Sequence, residues 1–243
     1  MTLPRAIGRL FHQAGMTGRP SEHLWSEALG SLSMISLSDP RVIDTPVADC
    51  GEPLADIATA PAITLDPRER DEHGAYGRVR TGVLERLRSA SKRLPAGIKL
   101  LVIEGHRSPA EQARRFALHE NRLRRSGISD PAELRRQVSA FVSPVEVAPH
   151  CAGAAVDLTL IDPDGVELDM GGAVNGHRTG DERWCPFDAP GLSPAAQDNR
   201  RLLAQCLREE GFVNYPSEWW HWSYGDRYWA LVTGAPAAVY GPI

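Results

Sequence analysis

Glu218-Trp219-Trp220-His221-Trp222 sets a carboxylate and an imidazole three residues apart inside a dense block of indoles. The carboxylate can shuttle a proton or bind a metal, and the imidazole can ligate a divalent ion. A second stretch, His150-Cys151-Ala152-Gly153-Ala154-Ala155-Val156-Asp157, offers one more imidazole and one more carboxylate, seven positions apart. A third, Glu104-Gly105-His106-Arg107, brings an arginine to the end of an apolar run. Two histidines and one carboxylate on zinc leave a coordination position for water, and a further glutamate and an arginine are then available to run a hydrolysis.

The elements that must hold these groups are readable in part. Residues 98–103 form a short apolar run rich in branched side chains, expected as a buried strand ending at Glu104-Gly105. Ser108 is a good N-cap, Pro109 suits the first helical position and Glu111 can close a capping box, so a helix follows immediately. Arg107 therefore sits in a tight strand-to-helix junction, a place where function is often carried. Taken alone, it reads more readily as a surface cation paired with a nearby carboxylate. His150 precedes an alternating segment at 155–161 in which Val156, Leu158 and Leu160 share one face and Asp157 and Thr159 the other. Gly153 and the alanines around it permit close backbone approach. By itself, His-x6-Asp also fits a surface histidine and a strand-end aspartate. Glu218 and His221 are more telling, because an acid and an imidazole among Tyr215, Trp219, Trp220, Trp222 and Tyr224 are expensive to bury without partners. The alternative is an aromatic core with two polar residues facing solvent. On a regular strand, positions three apart face opposite ways, so both can serve one site only if the chain twists or bulges between them.

Along the rest of the chain, residues 1–40 read as an N-terminal extension with a short helix at 5–12, and 41–243 as a single domain. Val42-Ile43 and Ile63-Thr64-Leu65 suggest short strands, and residues 76–94 a helix with Val79, Val83, Leu87 and Leu94 at helical spacing. Asp130-Pro131 opens a helix to about residue 142, and Asp162-Pro163-Asp164-Gly165 is a turn leading to a strand at 166–168. Residues 171–190, with Asn175, His177, Arg178, Cys185 and Asp188, have little periodicity, and a loop of that length is often functional. Ser193-Pro194 opens a helix whose Leu202, Leu203, Cys206 and Leu207 are apolar, with Gly211 as its stop. Strands are expected at 212–215, 219–222 and 228–232. The class is α+β, without regular βαβ alternation.

A net charge of −4 over 243 residues argues against a nucleic-acid partner, which would want a basic face. No stretch of about 18 apolar residues is present, so no membrane span is expected. The first fifteen residues lack the apolar run of a secretory signal, which makes a cytoplasmic setting the expectation. Cys50, Cys151, Cys185 and Cys206 are scattered and are expected as free thiols. His-Glu-x-x-His, the Gly-x-Ser-x-Gly elbow, the phosphate loop and Gly-x-Gly-x-x-Gly are all absent.

Together, Glu104-Gly105-His106-Arg107-Ser108-Pro109, His150-x-x-Gly153-x-Ala155-x-Asp157-Leu158-Thr159, Asp169-Met170-Gly171, Asn199-Arg200-x-Leu202-Leu203, Gly211-Phe212 and Glu218-Trp219-Trp220-His221 resemble the zinc D-alanyl-D-alanine dipeptidases, the VanX-like branch of the M15 metallopeptidases. The resemblance extends over residues 42–243 in the same order. It implies a hedgehog/DD-peptidase-like fold, with a central antiparallel sheet flanked by helices and a small cleft. It implies one Zn2+ per chain on His150, Asp157 and His221, with Glu218 as general base and Arg107 steadying the oxyanion. It also implies a small peptide substrate, best taken as D-Ala-D-Ala, and a role in cell-wall precursor turnover or glycopeptide resistance. The chain departs from the family pattern at Ala148, where the family has a serine that helps hold the substrate amine. It departs again at His106, where Tyr is usual, and in the longer segment after Gly171, where Asp188 is out of register with a family Phe-Asp. A carboxypeptidase acting on longer peptidoglycan peptides and a non-catalytic peptide-binding module on the same scaffold are the rival readings.

Overall fold

Branched apolar runs build a five-stranded sheet through the middle of the chain. The computed structural model describes residues 35–243 except 69–70, 72, 140–141, 177–179 and 181. Residues 1–34 of the extension expected over 1–40, with its helix at 5–12, lie outside the described residues, as do His177 and Arg178. The strands are β1 (Leu54–Asp56), β2 (Ile63–Leu65), β3 (Arg78–Arg80), β4 (Lys99–Glu104), β5 (Ala155–Ile161), β6 (Val213–Asn214) and β7 (His221–Ser223). The helices are α1 (Pro40–Ile43), α2 (Thr81–Ser91), α3 (Pro109–Arg125), α4 (Pro131–Ser139), α5 (Pro194–Glu209) and α6 (Arg227–Thr233).

The main sheet runs β2-β4-β5-β7-β6, and β1 pairs with β3 apart from it. Pairing is antiparallel except between β2 and β4, which run parallel with α2 lying between them in the chain. That βαβ-type crossover was hidden in the sequence because β3 interrupts it. Alternation divides the sheet into two faces. Val156, Leu158 and Leu160 of β5 join Leu100 and Val102 of β4 in one core with Val83, Leu84 and Leu87 of α2, Leu203 and Leu207 of α5, and Trp219, Trp220 and Trp222. Leu100, Leu158 and Leu160 have no exposed surface, and each contributes roughly 1.5–3 kcal/mol by burial. Asp157 lies on the opposite face of β5, where Ile161 at the far end of the strand packs with Leu101 and Ile103.

Several expectations are corrected. Val42 and Ile43 form a helical turn, because Asp39 caps it by accepting from the Arg41 N–H and Pro40 fits its first position. Val42 is buried there with Ile35, Leu37, Val147 and Tyr228. The helix expected from residue 76 begins at Thr81, because residues 78–80 are drawn into pairing with β1. Arg80 anchors that strand, its buried guanidinium donating to the carbonyls of Glu52, Ala152 and Gly241 and to Asp49. Residues 228–232 are helical, because Asp226 accepts from the N–H groups of Tyr228 and Trp229 and nucleates α6 against its β-forming composition. Residues 166–168 make only a bridge from Glu167 to Ile161, and β7 starts at His221 because a turn occupies the preceding residues.

Candidate metal centre

Antiparallel pairing of β5 and β7 places Asp157 directly opposite His221. Side chains of paired residues share a face, and Asp157 Oδ1 lies 3.1 Å from His221 Nδ1. His150 arrives from the short helical turn Pro149–Ala152, which Gly153 ends at a φ of +63° before the chain enters β5. A side chain at Gly153 would be strained, and its Cβ would stand 2.6 Å from Leu54. The His150 ring is fixed by its Nδ1–H, which donates to the Gly105 carbonyl at 2.7 Å. This leaves Nε2 as the open nitrogen, 3.3 Å from Asp157 Oδ1. Gly105 is itself required by close approach, since a Cβ there would sit 2.4 Å from the Arg78 carbonyl oxygen.

His150, Asp157 and His221 are all buried, and their ligand atoms lie within 4.8 Å of one another. Burial alone would raise the Asp157 pKa, but the two imidazoles hold it well below the usual carboxylate range. Two imidazole nitrogens and one carboxylate oxygen, converging in a buried pocket with one ring already fixed from behind, are a donor set suited to zinc.

Glu218 reaches the same face because it precedes β7 instead of lying within it. The turn that carries it is closed by Glu218 N–H to the Tyr215 carbonyl at 2.8 Å and by His221 N–H to the Glu218 carbonyl at 3.1 Å. Asn214 Nδ2 donates to the Glu218 and His221 carbonyls at 3.0 and 2.9 Å, bracing the turn from β6. Glu218 Oε2 then lies 3.9 Å from His221 Nδ1. Burial pushes its pKa up to about 7, against the pull of His221. The three indoles form the core wall behind this turn and leave the face to Glu218 and His221.

Arg107 is an internal cation. Its Nε and Nη2 donate to the two Glu104 carboxylate oxygens at 2.6 and 2.8 Å, and its Nη1 to Gln112 Oε1 at 2.6 Å. Gln112 is held in turn by donating to the Ser143 carbonyl at 2.6 Å. Burial opposes the charge on Arg107, but Glu104 holds its pKa above the ordinary value. The Arg107 N–H donates to the His150 carbonyl at 3.1 Å, which ties the β4–α3 junction to the metal-site turn. Glu104 stood in the motif without a role, and Gln112 was not singled out; the available signal was a glutamate three residues before the arginine and a glutamine five after it. His106 points elsewhere, with Nε2 3.3 Å from the Ile243 carbonyl oxygen. Cys151 is buried with its thiol pushed up to about 12, which makes it inert as a nucleophile. Asp188 is exposed and Ala148 is buried.

The fold and this cluster define a metallopeptidase. Residues 80–233 match the model of the M15 peptidases, described as D-Ala-D-Ala dipeptidase, and the chain belongs to that family. It is similar to the D-alanyl-D-alanine dipeptidase of Synechocystis sp., at 32% identity over 217 residues, spanning 76% of this chain and 87% of the relative. It is also similar to the D-alanyl-D-alanine dipeptidase of Escherichia coli, at 45% identity over 72 residues, covering 30% of this chain and 35% of that one. Among solved structures, it aligns with the LdcB LD-carboxypeptidase at a TM-score of 0.43 and 16% identity, over 79% of this chain and 77% of that one. Among the described residues, no helix is long and apolar enough to cross a membrane.

Proposed function

We propose that the chain hydrolyses a D,D-dipeptide, with D-Ala-D-Ala as substrate, using one zinc ion held by His150 Nε2, Asp157 Oδ1 and His221 Nδ1. The observation that carries this reading is the convergence of those three buried ligand atoms, with Glu218 Oε2 3.9 Å from one of them. The D-alanyl-D-alanine dipeptidases among its relatives support the choice of substrate.

Zinc, when bound, lowers the pKa of a coordinated water towards about 7 and polarises the scissile carbonyl. Glu218 takes the proton of the attacking water and passes it to the leaving amine, a task suited to a carboxyl whose pKa is raised to about 7. Arg107 stabilises negative charge as it develops on the carbonyl oxygen; Glu104 and Gln112 fix its guanidinium in advance, so little reorganisation is needed at the moment of reaction. The catalytic unit in this reading is residues 41–243, preceded by an extension over 1–40. The setting in this reading is cytoplasmic, in cell-wall precursor turnover or glycopeptide resistance. Free thiols at Cys50, Cys151, Cys185 and Cys206 support a reducing compartment.

A second reading, a carboxypeptidase acting on longer peptidoglycan peptides, is favoured by Ala148, which removes the hydroxyl that the resemblance assigns to the substrate amine. Comparing turnover of D-Ala-D-Ala with that of an N-acylated tripeptide ending in D-Ala-D-Ala decides between them. Cleavage of the free dipeptide alone supports the dipeptidase, and preference for the acylated tripeptide replaces it. A zinc-loaded protein that binds D-Ala-D-Ala without cleaving either compound is a binding module.

A further inference from the structure

The two imidazoles of the metal centre are supported unequally. The outer nitrogen of His150 has a partner in the Gly105 carbonyl. The outer nitrogen of His221, Nε2, is fully buried and makes no hydrogen bond. A buried polar atom without a partner is costly, and a metal-bound histidine almost always donates its second N–H to a carbonyl or carboxylate. A carboxylate oxygen in the same condition lies close in the chain: Asp226 Oδ2 is also buried and without a hydrogen-bond partner.

We propose that Asp226 is a positioning residue of the metal centre, its Oδ2 accepting the Nε2–H of His221 and so fixing the ring that presents Nδ1 to the metal. The inference rests on the zinc reading above and extends it to the support of one ligand.

The local fold prepares Asp226 for this role. Gly225, at a φ of +83°, turns the chain out of β7 and sets Asp226 at the N-cap of α6. Oδ1 accepts there from the N–H groups of Tyr228 and Trp229 at 2.8 and 3.1 Å, which fixes the carboxylate plane. The Ser223 side chain is the other polar neighbour of this carboxyl, and Oδ2 keeps a lone pair for a further donor. Tyr215 bridges the two elements, with its ring 6.0 Å from the His221 ring and 5.6 Å from that of Tyr228. The first turn of α6 is thereby packed beside His221, and the charge of His221 acts on Asp226. The pair is open in the structure, and the proposal has it close once Nδ1 is engaged. A competing donor, Arg227 Nε, is also buried and unpartnered. Its guanidinium is drawn away, however, to the carbonyls of Ile43 and Thr45.

The test is Asp226→Asn in the full chain, read by zinc affinity in competition with a chelator. Asn caps helices as well as Asp does, so the zinc-free variant should melt near wild type. The amide that replaces Oδ2 cannot accept from Nε2–H, and zinc binding should weaken about 10- to 100-fold. Asp226→Glu, which keeps an acceptor, should recover part of that loss. Wild-type zinc affinity in Asp226→Asn overturns the proposal. Should Asp226→Asn fail to fold, the wild-type zinc protein answers alone by proton NMR. A slowly exchanging, downfield Nε2–H on His221 supports the hydrogen bond, and a rapidly exchanging one overturns it. Absence of zinc binding by wild type is a different result, and it removes the metal-centre reading itself.

Discussion

Asp157 and His221 are cross-strand partners on β5 and β7, and their Oδ1 and Nδ1 atoms stand 3.1 Å apart. A single register fixes this relationship. A slip of one residue would send His221 into the apolar core and bring Trp222 onto the reactive face. Trp220 and Trp222, fully buried on the core side, guard against such a slip. Asp157→Ala and His221→Ala should each reduce bound zinc from one per chain to a small fraction after dialysis, measured by elemental analysis. Unchanged stoichiometry in either variant would remove that residue from the ligand set.

Glu218 should matter for turnover and not for metal content. Glu218→Gln is expected to retain zinc while losing on the order of 10²–10⁴ in kcat, the usual scale of a positioned acid–base group. Near-normal cleavage by this variant would show that the proton travels by another route.

The same carboxyl has a signature in stability. In the zinc-free protein its folded-state pKa is raised to about 7 from an ordinary 4.5. Between those values the folded chain holds more protons than the unfolded chain, so this group's contribution to stability falls as pH rises through the window. Glu218→Gln removes that penalty. The variant should match wild type at pH 4 and exceed it at pH 8 by about 1 kcal/mol, a figure discounted because solvent reaches part of the side chain. Chelator-treated samples in denaturant melts provide the measurement, and equal stability at both pH values would contradict it.

Arg107 and Glu104 should separate catalysis from folding. Arg107→Lys keeps a charge but loses the planar fork that Glu104 and Gln112 hold, and kcat should fall about 10²–10³-fold with a smaller change in KM. Glu104→Gln leaves a buried guanidinium without its counter-ion and should cost roughly 3–5 kcal/mol in stability. A Glu104→Gln protein as stable as wild type would mean that Arg107 finds another partner.

Much of the site was legible because its groups sit next to strong local signals. Ser108-Pro109 marked the helix start behind Arg107, and Ser108 does cap α3 by accepting from the Glu111 N–H. The alternating run at 155–161 became β5. What the sequence hid was decided by distant contacts or by a cap read too late. Residues 78–80 fit a helical period, yet Arg80 is claimed by carbonyls from three separate segments. Tyr228, Leu231 and Val232 favour a strand by composition, and one carboxylate, Asp226, turns them into α6. The apparent conflict of Glu218 and His221 at three-residue spacing dissolved because a turn, not a strand, carries the glutamate.

Arg200 holds the long segment before α5 in place. It is buried without an ion-pair partner among the described residues, and burial lowers its pKa to about 10. It donates to the carbonyls of Met170, Trp184, Pro186 and Phe187. The same segment is pinned to the Glu218 turn by Phe187 N–H to the Pro216 carbonyl and Trp219 N–H to the Cys185 carbonyl. Arg200→Met fills similar space but strands these carbonyls, at roughly 1–3 kcal/mol for each that finds no water. The melting temperature should drop by about 10 °C, with a loss of activity that follows from displacement of the turn. A shift of only a degree or two would show that the segment is held by other contacts.

Alanine release from D-Ala-D-Ala by the purified full chain, with zinc measured on the same sample and a chelated control alongside, decides whether this chain is a zinc dipeptidase. Release should track zinc up to one ion per chain, stop with chelator and return when zinc is restored. Release that survives complete removal of zinc, or a fully zinc-loaded protein that never cleaves the dipeptide, would contradict the zinc dipeptidase reading.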